Sequence, residues 1–191
     1  MIRNYYYLPF KEDAGIIYLN LLAFYDIAEY RPEVKAYDTI HYSSVKELAE
    51  RLQLSTSTVT RILDSDKYRY FMTVDKANKT IRLHCSFPKG QKAAFVRLTA
   101  AEVMLIRKQN KDQNLLAEYL IYMKYYCGFS KSKETDFTAK QFLTACGYST
   151  KAKTNFDRLT GFNSLLVQNG MIKIKKWTDD AGHTRKTYSF I

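Results

Sequence analysis

The chain has 191 residues, of which 46% are hydrophobic, and a net charge of +11; with a mean hydropathy of −0.37 and a pI near 9.4 this describes a basic globular protein with enough length for one large or two small cores. Its longest apolar stretch, Gly15 to Tyr25, is interrupted by Asn20 and is too short for a membrane span, and no charged-then-apolar leader opens the sequence, so a reducing cytoplasm is the expected home. Cys85, Cys127 and Cys146 are odd in number and far apart, which excludes a disulfide scaffold.

In chain order, Tyr6-Tyr7-Leu8-Pro9 is a short extended stretch that leads into an apolar helical segment, Asp13 to Glu29. Val45 to Leu63 (VKELAERLQLSTSTVTRIL) then carries the spacing of a helix-turn-helix, in which two short helices cross over a turn of about three or four residues. Ala49 supplies the small side chain where the helices touch. Leu48, Leu52 and Leu54 close the corner from one side, and Val59, Ile62 and Leu63 from the other. Ser44 and Glu47 have the spacing of a capping box, and Ser55 can cap the second helix. Gln53 stands in the turn where glycine is preferred, so it is expected in a left-handed conformation. The outer face of the second helix then holds Ser55, Thr56, Ser57, Thr60 and Arg61. Tyr68 and Tyr70 follow, within reach of a sugar or phosphate. Two strand-like runs come next, Phe71 to Val74 and Thr80 to Leu83, joined by a turn containing Lys76 and Lys79.

Phe87 to Lys92 combines proline and glycine and predicts a linker, so domain boundaries are expected at 1–86, with linker 87–94, and 95–191. Beyond it the organisation repeats. Val96-Arg97-Leu98-Thr99 is again a short extended stretch, followed by helical segments Ala100 to Lys108 and Asn114 to Tyr126. Ala139 to Leu159 (AKQFLTACGYSTKAKTNFDRL) matches the first helix pair at an offset of ninety-four residues, aligning Lys46 with Lys140, Leu48 with Phe142, Leu54 with Tyr148 and Ser55 with Ser149. Gly147 now occupies the turn. Leu143 replaces the small residue and Lys153 falls where Val59 stood, while Ala152, Phe156, Leu159 and Leu166 define an apolar face reaching about Asn169. Met171 to Trp177 and Thr184 to Phe190 form a second predicted hairpin, in which Ile172 and Ile174 alternate with Lys173 and Lys175.

A helix-turn-helix followed by a hairpin is a winged helix, so the expected fold is α+β, predominantly helical, with two winged helix-turn-helix domains in tandem. The charge follows the same division. Residues up to Leu98 carry 15 basic and 11 acidic side chains, and the remainder 15 and 8, so both halves are basic. The excess in the second half gathers on the predicted second helix and wing, at Lys151, Lys153, Arg158, Lys173, Lys175, Lys176, Arg185 and Lys186. That distribution favours a polyanion as ligand.

Catalytic and metal-binding patterns are absent from the sequence: it holds no CxxC pair, no His-x-x-x-His, no glycine-rich phosphate loop and no GxSxG elbow. No cofactor or metal is expected, and the chain reads as a binding protein rather than an enzyme. His84 and Cys85 are adjacent in a strand and point to opposite faces, and Cys146 occupies an apolar helical position suited to a core.

From Tyr5 to Phe190 the layout resembles tandem winged-helix DNA-binding proteins, a group that includes plasmid and phage replication initiators and replisome organisers of bacteria. The resemblance rests on ELAERLQLSTSTVTRIL, on the copy centred on Gly147 and on the two hairpins. It implies that the second helix of each pair enters a major groove while the wing follows the backbone. Ser55, Thr56, Ser57, Thr60, Arg61, Lys151, Lys153, Thr154, Asn155 and Arg158 are thereby assigned to groove or adjacent phosphate contact. The wing residues Lys76, Lys79, Lys173, Lys175, Lys176 and Arg185 are assigned to phosphate. The implied partners are double-stranded DNA, a second copy of the chain, and the replication or transcription machinery. Transcription regulators share these motifs and form the alternative reading, and a protein-interaction scaffold built from winged helices is a further one.

Overall fold

A computed structural model of the chain describes residues 5–33, 36–84, 95–130 and 132–191, without the side chain of Phe129. The expected linker 87–94 and Cys85 lie outside the described residues. Packing divides the chain into two compact units, one of residues 1–9 and 16–100 and the other of residues 10–15 and 101–191. Both mix helices with small antiparallel sheets.

In the first unit, strand β1 (Tyr5–Pro9) pairs with β6 (Phe95–Thr99), with Tyr6 opposite Leu98 and Leu8 opposite Val96. Helix α1 spans Ile16–Ile27 and buries Ile17, Tyr18, Leu21, Leu22, Phe24 and Tyr25. It starts three residues later than expected, because Asp13 and Gly15 hold φ values of 58° and 49° that interrupt a right-handed helix. Strands β2 (Glu29–Arg31) and β3 (Ala36–His41) follow, then α2 (Val45–Leu52), α3 (Thr56–Asp64), a 3-10 turn at Asp66–Tyr68, and the hairpin β4 (Met72–Asp75) and β5 (Thr80–Leu83). The sheet order is β2-β3-β5-β4, so β3, which precedes the helix pair, lies against the last strand of the hairpin. Arg31 fastens β2 to β3 by donating to both carboxylate oxygens of Asp38 at 2.6 and 2.5 Å. Burial pushes the Asp38 pKa up, but the hydrogen bonds from Arg31 and Thr39 and the nearby guanidiniums outweigh it and hold the carboxyl below its ordinary value.

The corner between α2 and α3 is closed by Leu48, Ala49, Leu52, Val59 and Ile62, all buried; each large aliphatic there contributes about 1.5–3 kcal/mol relative to exposure. Gln53 adopts φ 55°, ψ 39°, the left-handed conformation expected of the turn. Leu54 N–H donates to Ala49 O and Gln53 N–H to Glu50 O, the paired bonds that end a helix in a Schellman motif. At the start of α2 only half of the expected capping box forms. Ser44 accepts from Glu47 N–H, whereas the Glu47 carboxylate takes the Ser43 N–H and Arg51 instead.

The second unit begins with α4 (Ala100–Lys108), most of which belongs to it, and α5 (Gln113–Phe129). Residues Leu115 to Met123 of α5 are all buried, which makes it the central helix of this core. Its environment includes the segment 10–15. Phe10 stacks on Tyr125 at 3.5 Å between centroids, Gly15 N–H donates to Glu118 at 3.0 Å, and the Tyr126 hydroxyl donates to Glu12 at 2.6 Å. Strand β7 (Glu134–Asp136), α6 (Ala139–Ala145), α7 (Lys153–Gln168), β8 (Ile172–Thr178) and β9 (Thr184–Phe190) complete the unit, with sheet order β7-β9-β8. The second hairpin and the end of α7 fall within one residue of their expected places.

The turn after α6 repeats the one after α2. Tyr148 N–H donates to Leu143 O and Gly147 N–H to Thr144 O, with Gly147 at φ 73°. Gly147 and Gln53 are ninety-four residues apart, the offset of the internal repeat. Here the full capping box exists, between Thr138 and Gln141. Strands β2, β3 and β7 had no expected counterpart. The expected place of residues 95–99 in the second half also differs from the packing, because the Val96 and Leu98 side chains are buried on the strand paired with β1.

Candidate nucleic-acid interface

Helix α3 presents hydroxyls and one cation. Ser55 caps it by accepting from Thr58 N–H at 3.2 Å, and Thr60 donates to Thr56 O at 3.0 Å. Thr56, Ser57, Thr60 and Arg61 are exposed, while Val59 and Ile62 on the opposite face are buried, which is the helical spacing read from the sequence. Arg61 makes no ion pair among the described residues. The neighbouring charges are largely tied to one another. Lys76 is bound to Asp64 at the end of α3, and Arg69 to Asp66 at 2.8 Å. Lys79 sits at φ 49° and donates to Ser43 O at 2.7 Å, which ties the hairpin tip to the loop before α2. Asp75 is held below its ordinary pKa by the side-chain and backbone hydrogen bonds of Asn78. Tyr68 is a correction to the sequence reading. Its ring is buried and its hydroxyl accepts from Asn20 at 2.5 Å, so it faces the core of the first unit rather than a ligand. Tyr70 is exposed.

The corresponding surface of the second unit has a different composition. Helix α7 starts at Lys153, so Lys151 lies in the loop before it rather than on it, and Ser149 does not cap the helix. Ser149 Oγ accepts from Lys151 N–H at 3.3 Å, and its carbonyl accepts from Asn155 Nδ2 at 3.0 Å. Ala152 is the N-cap and no side chain caps the first turn. Lys151, Lys153 and Thr154 are exposed and Asn155 is half-buried. Arg158 pairs with Asp112 at 3.3 Å. On the hairpin, the register pairs Lys173 with Ser189, Lys175 with Thr187 and Trp177 with Arg185 on one face. The other face carries Lys176 directly opposite Lys186, an arrangement that repels in the absence of an anion. Lys175 and Lys176 therefore point to opposite faces. Arg185 donates to Asp179 at 2.7 Å, and Asp179 also accepts from the N–H groups of Ala181 and His183, which fix the hairpin tip. The His183 N–H and Arg185 hold the Asp179 carboxyl below its ordinary pKa.

Of the sixteen side chains singled out in the sequence, Ser55, Thr56, Ser57, Thr60 and Arg61 share one exposed helix with Lys76 at its end, and Lys173 and Lys175 share one hairpin face with Arg185. The structure adds Trp177, 41% exposed on that same face, with its indole N–H donated to Thr187 at 3.0 Å. The alternation Lys173, Lys175, Trp177 was the signal for it. The arrangement offers hydrogen-bond donors and cations to an anionic surface. Burial pushes the Cys127 thiol up to about 11 and raises Cys146 as well, so neither is ionised at neutral pH. Among the described residues no group of three His, Cys, Asp or Glu side chains is placed to hold a metal ion, and no helix is long and apolar enough to cross a membrane.

Comparison with protein-family models, with curated proteins and with solved structures found no match to this chain.

Proposed function

We propose that the chain is a double-stranded DNA-binding protein with two winged-helix modules, which acts as a replication initiator or organiser of a mobile element. The observation that carries this reading is the recurrence of one local architecture. In each unit a strand, a pair of helices joined by a Schellman turn and a hairpin follow in that order, and the strand before the helix pair lies beside the last strand of the hairpin. The second helix of each pair is exposed along one side and carries groups suited to a duplex. In the first unit these are four hydroxyl residues and a guanidinium without an ion-pair partner among the described residues, which can span two acceptors of guanine. In the second they are Lys153 on the helix and Lys151 in the loop before it, both without carboxylate partners among the described residues, beside an α7 first turn that no side chain caps. The first module then reads bases and the second grips phosphate. Two modules in one chain suit adjacent segments of an origin repeat.

The test is selection of bound fragments from random duplex DNA, followed by a salt titration on the recovered motif. With six to ten phosphate contacts, affinity is expected to fall about 10³–10⁵-fold between roughly 50 and 200 mM salt. Absence of duplex binding at low salt, or an affinity nearly independent of salt, overturns the proposal.

A further inference from the structure

A cavity of about 460 Å³ opens in the second unit between the start of α6, the middle of α7 and the β8–β9 hairpin. Its floor is aromatic. Phe137 stacks on Tyr188 at 5.0 Å between centroids, and Tyr119 meets Phe137 edge-on at 5.9 Å. Asn163 lines the cavity from α7 and is only 8% exposed. Its Oδ1 accepts the Tyr119 hydroxyl at 2.9 Å, while its Nδ2 donates to no group among the described residues. Asn163 therefore presents an amide donor to the cavity, where an acceptor on a ligand can take it. Trp177 stands at the rim with its ring held by the bond to Thr187.

We propose that this cavity binds an uncharged planar heterocycle carrying hydroxyl groups, of nucleoside size. The volume lies in the range of small-molecule sites, about 300–1,000 Å³. The aromatic floor and the exposed Trp177 ring at the rim suit a flat ring, and the Asn163 amide offers a donor to an acceptor on its edge. Thr138, Thr160 and Thr184 offer partners to hydroxyl groups. The wall also carries two cations, Arg185 and Lys186, and two carboxylates, Asp136 and Asp179, so its charges cancel and a phosphate gains nothing. A purely apolar ligand would leave the Asn163 donor unmet. The site shares Trp177 and Arg185 with the hairpin face offered to a duplex, but its test needs no DNA.

Trp177 is the chain's single tryptophan, so its indole N–H gives one resonance that reports directly on the cavity rim. The full chain is titrated with the four deoxynucleosides and with their 5′-monophosphates. At least one nucleoside is expected to shift the resonance saturably, with a Kd tighter than about 1 mM, and to bind more tightly than its monophosphate. Asn163→Asp keeps the acceptor for Tyr119 and removes the donor, and should weaken binding by about tenfold or more. Thr160→Phe, at an exposed position on the cavity wall, should block binding while leaving the fold intact. A resonance unmoved by every nucleoside, a monophosphate that binds as tightly or more tightly, or binding that survives both substitutions overturns the proposal.

Discussion

Helix α3 and helix α7 follow the same turn and precede the same kind of hairpin, yet they expose different chemistry. On α3 the exposed side chains are small hydroxyls around one guanidinium, and the nearby lysines are engaged, Lys76 with Asp64 and Lys79 with a backbone carbonyl. Around α7 and its hairpin, Lys151, Lys153, Lys173, Lys175 and Lys176 carry no carboxylate partner among the described residues. A hydroxyl or guanidinium held at a defined helix position can discriminate base edges, whereas a lysine on a flexible stem meets phosphate without regard to sequence. Duplicated architecture thus leaves room for a division of labour, because the fold constrains the buried face and not the exposed one.

The largest expected effect breaks the gripping half of the comparison. Replacing Lys173, Lys175 and Lys176 together with glutamate should lower affinity for specific and scrambled duplexes alike by roughly 100-fold at moderate salt. Fluorescence anisotropy on the two duplexes measures it; loss confined to the specific duplex would give base reading to the second unit. Arg61→Ala tests the reading half. It should cost roughly 1–3 kcal/mol on the preferred site and relax preference at one base position, while Lys175→Ala weakens all sequences slightly and reduces the salt slope by about one. If Arg61→Ala lowers both duplexes equally, the reading role passes to Lys151, Asn155 and Arg158.

The two turns make a smaller and purely structural comparison. Gln53 holds a left-handed conformation that glycine adopts without penalty, so Gln53→Gly should stabilise the protein by up to about 1 kcal/mol. Gly147→Ala should destabilise by about 1 kcal/mol or more, since an added Cβ would sit 3.1 Å from Asp13 Oδ1 at an unfavourable φ. Urea denaturation of both variants checks the pair, and equal effects of the same sign would mean the turns are not equivalent. The smallest effect concerns Glu118, buried in the second unit. Burial raises its pKa above the ordinary 4.5, against the opposing bonds from Gly15 N–H and the Tyr148 hydroxyl. The folded state then holds its proton more tightly than the unfolded state, so this carboxyl favours folding below its ordinary pKa, and that stability is lost as pH rises through the raised value. Glu118→Gln should remove this dependence and leave stability at about pH 8 within roughly 1 kcal/mol of the parent or above it. Denaturation at about pH 4 and about pH 8 reads the difference.

Much of the helical skeleton was visible in the residues themselves. The helix pair at Val45 to Leu63, the second pair near Ala139, both hairpins and the left-handed Gln53 all depend on interactions within a few residues, where apolar period, caps and turn chemistry act directly. Strands β2 and β7 have three residues each, too few for alternation to register, and β3 buries Asp38 and Thr39 where a sequence pattern expects apolar groups. The exposed faces of α3 and of the second hairpin followed from the same period that located the cores. The engagement of Lys76, Arg158 and Arg185 by carboxylates did not, because Asp112 is forty-six residues from Arg158 in the chain.

By itself, then, the sequence determined the order of the helix pairs and hairpins, the ninety-four-residue repeat and the basic character of the second helix pair and hairpin, since these depend on local spacing and on charge. Tertiary structure alone decided that residues 95–99 pair with β1, that the segment 10–15 packs against α5, and that Tyr68 turns inward to Asn20. It also decided that Asn163 lines a cavity while its Oδ1 accepts the Tyr119 hydroxyl. Each of these depends on residues distant in the chain meeting across a core, and the free energy of such a meeting belongs to the pair of surfaces rather than to either segment.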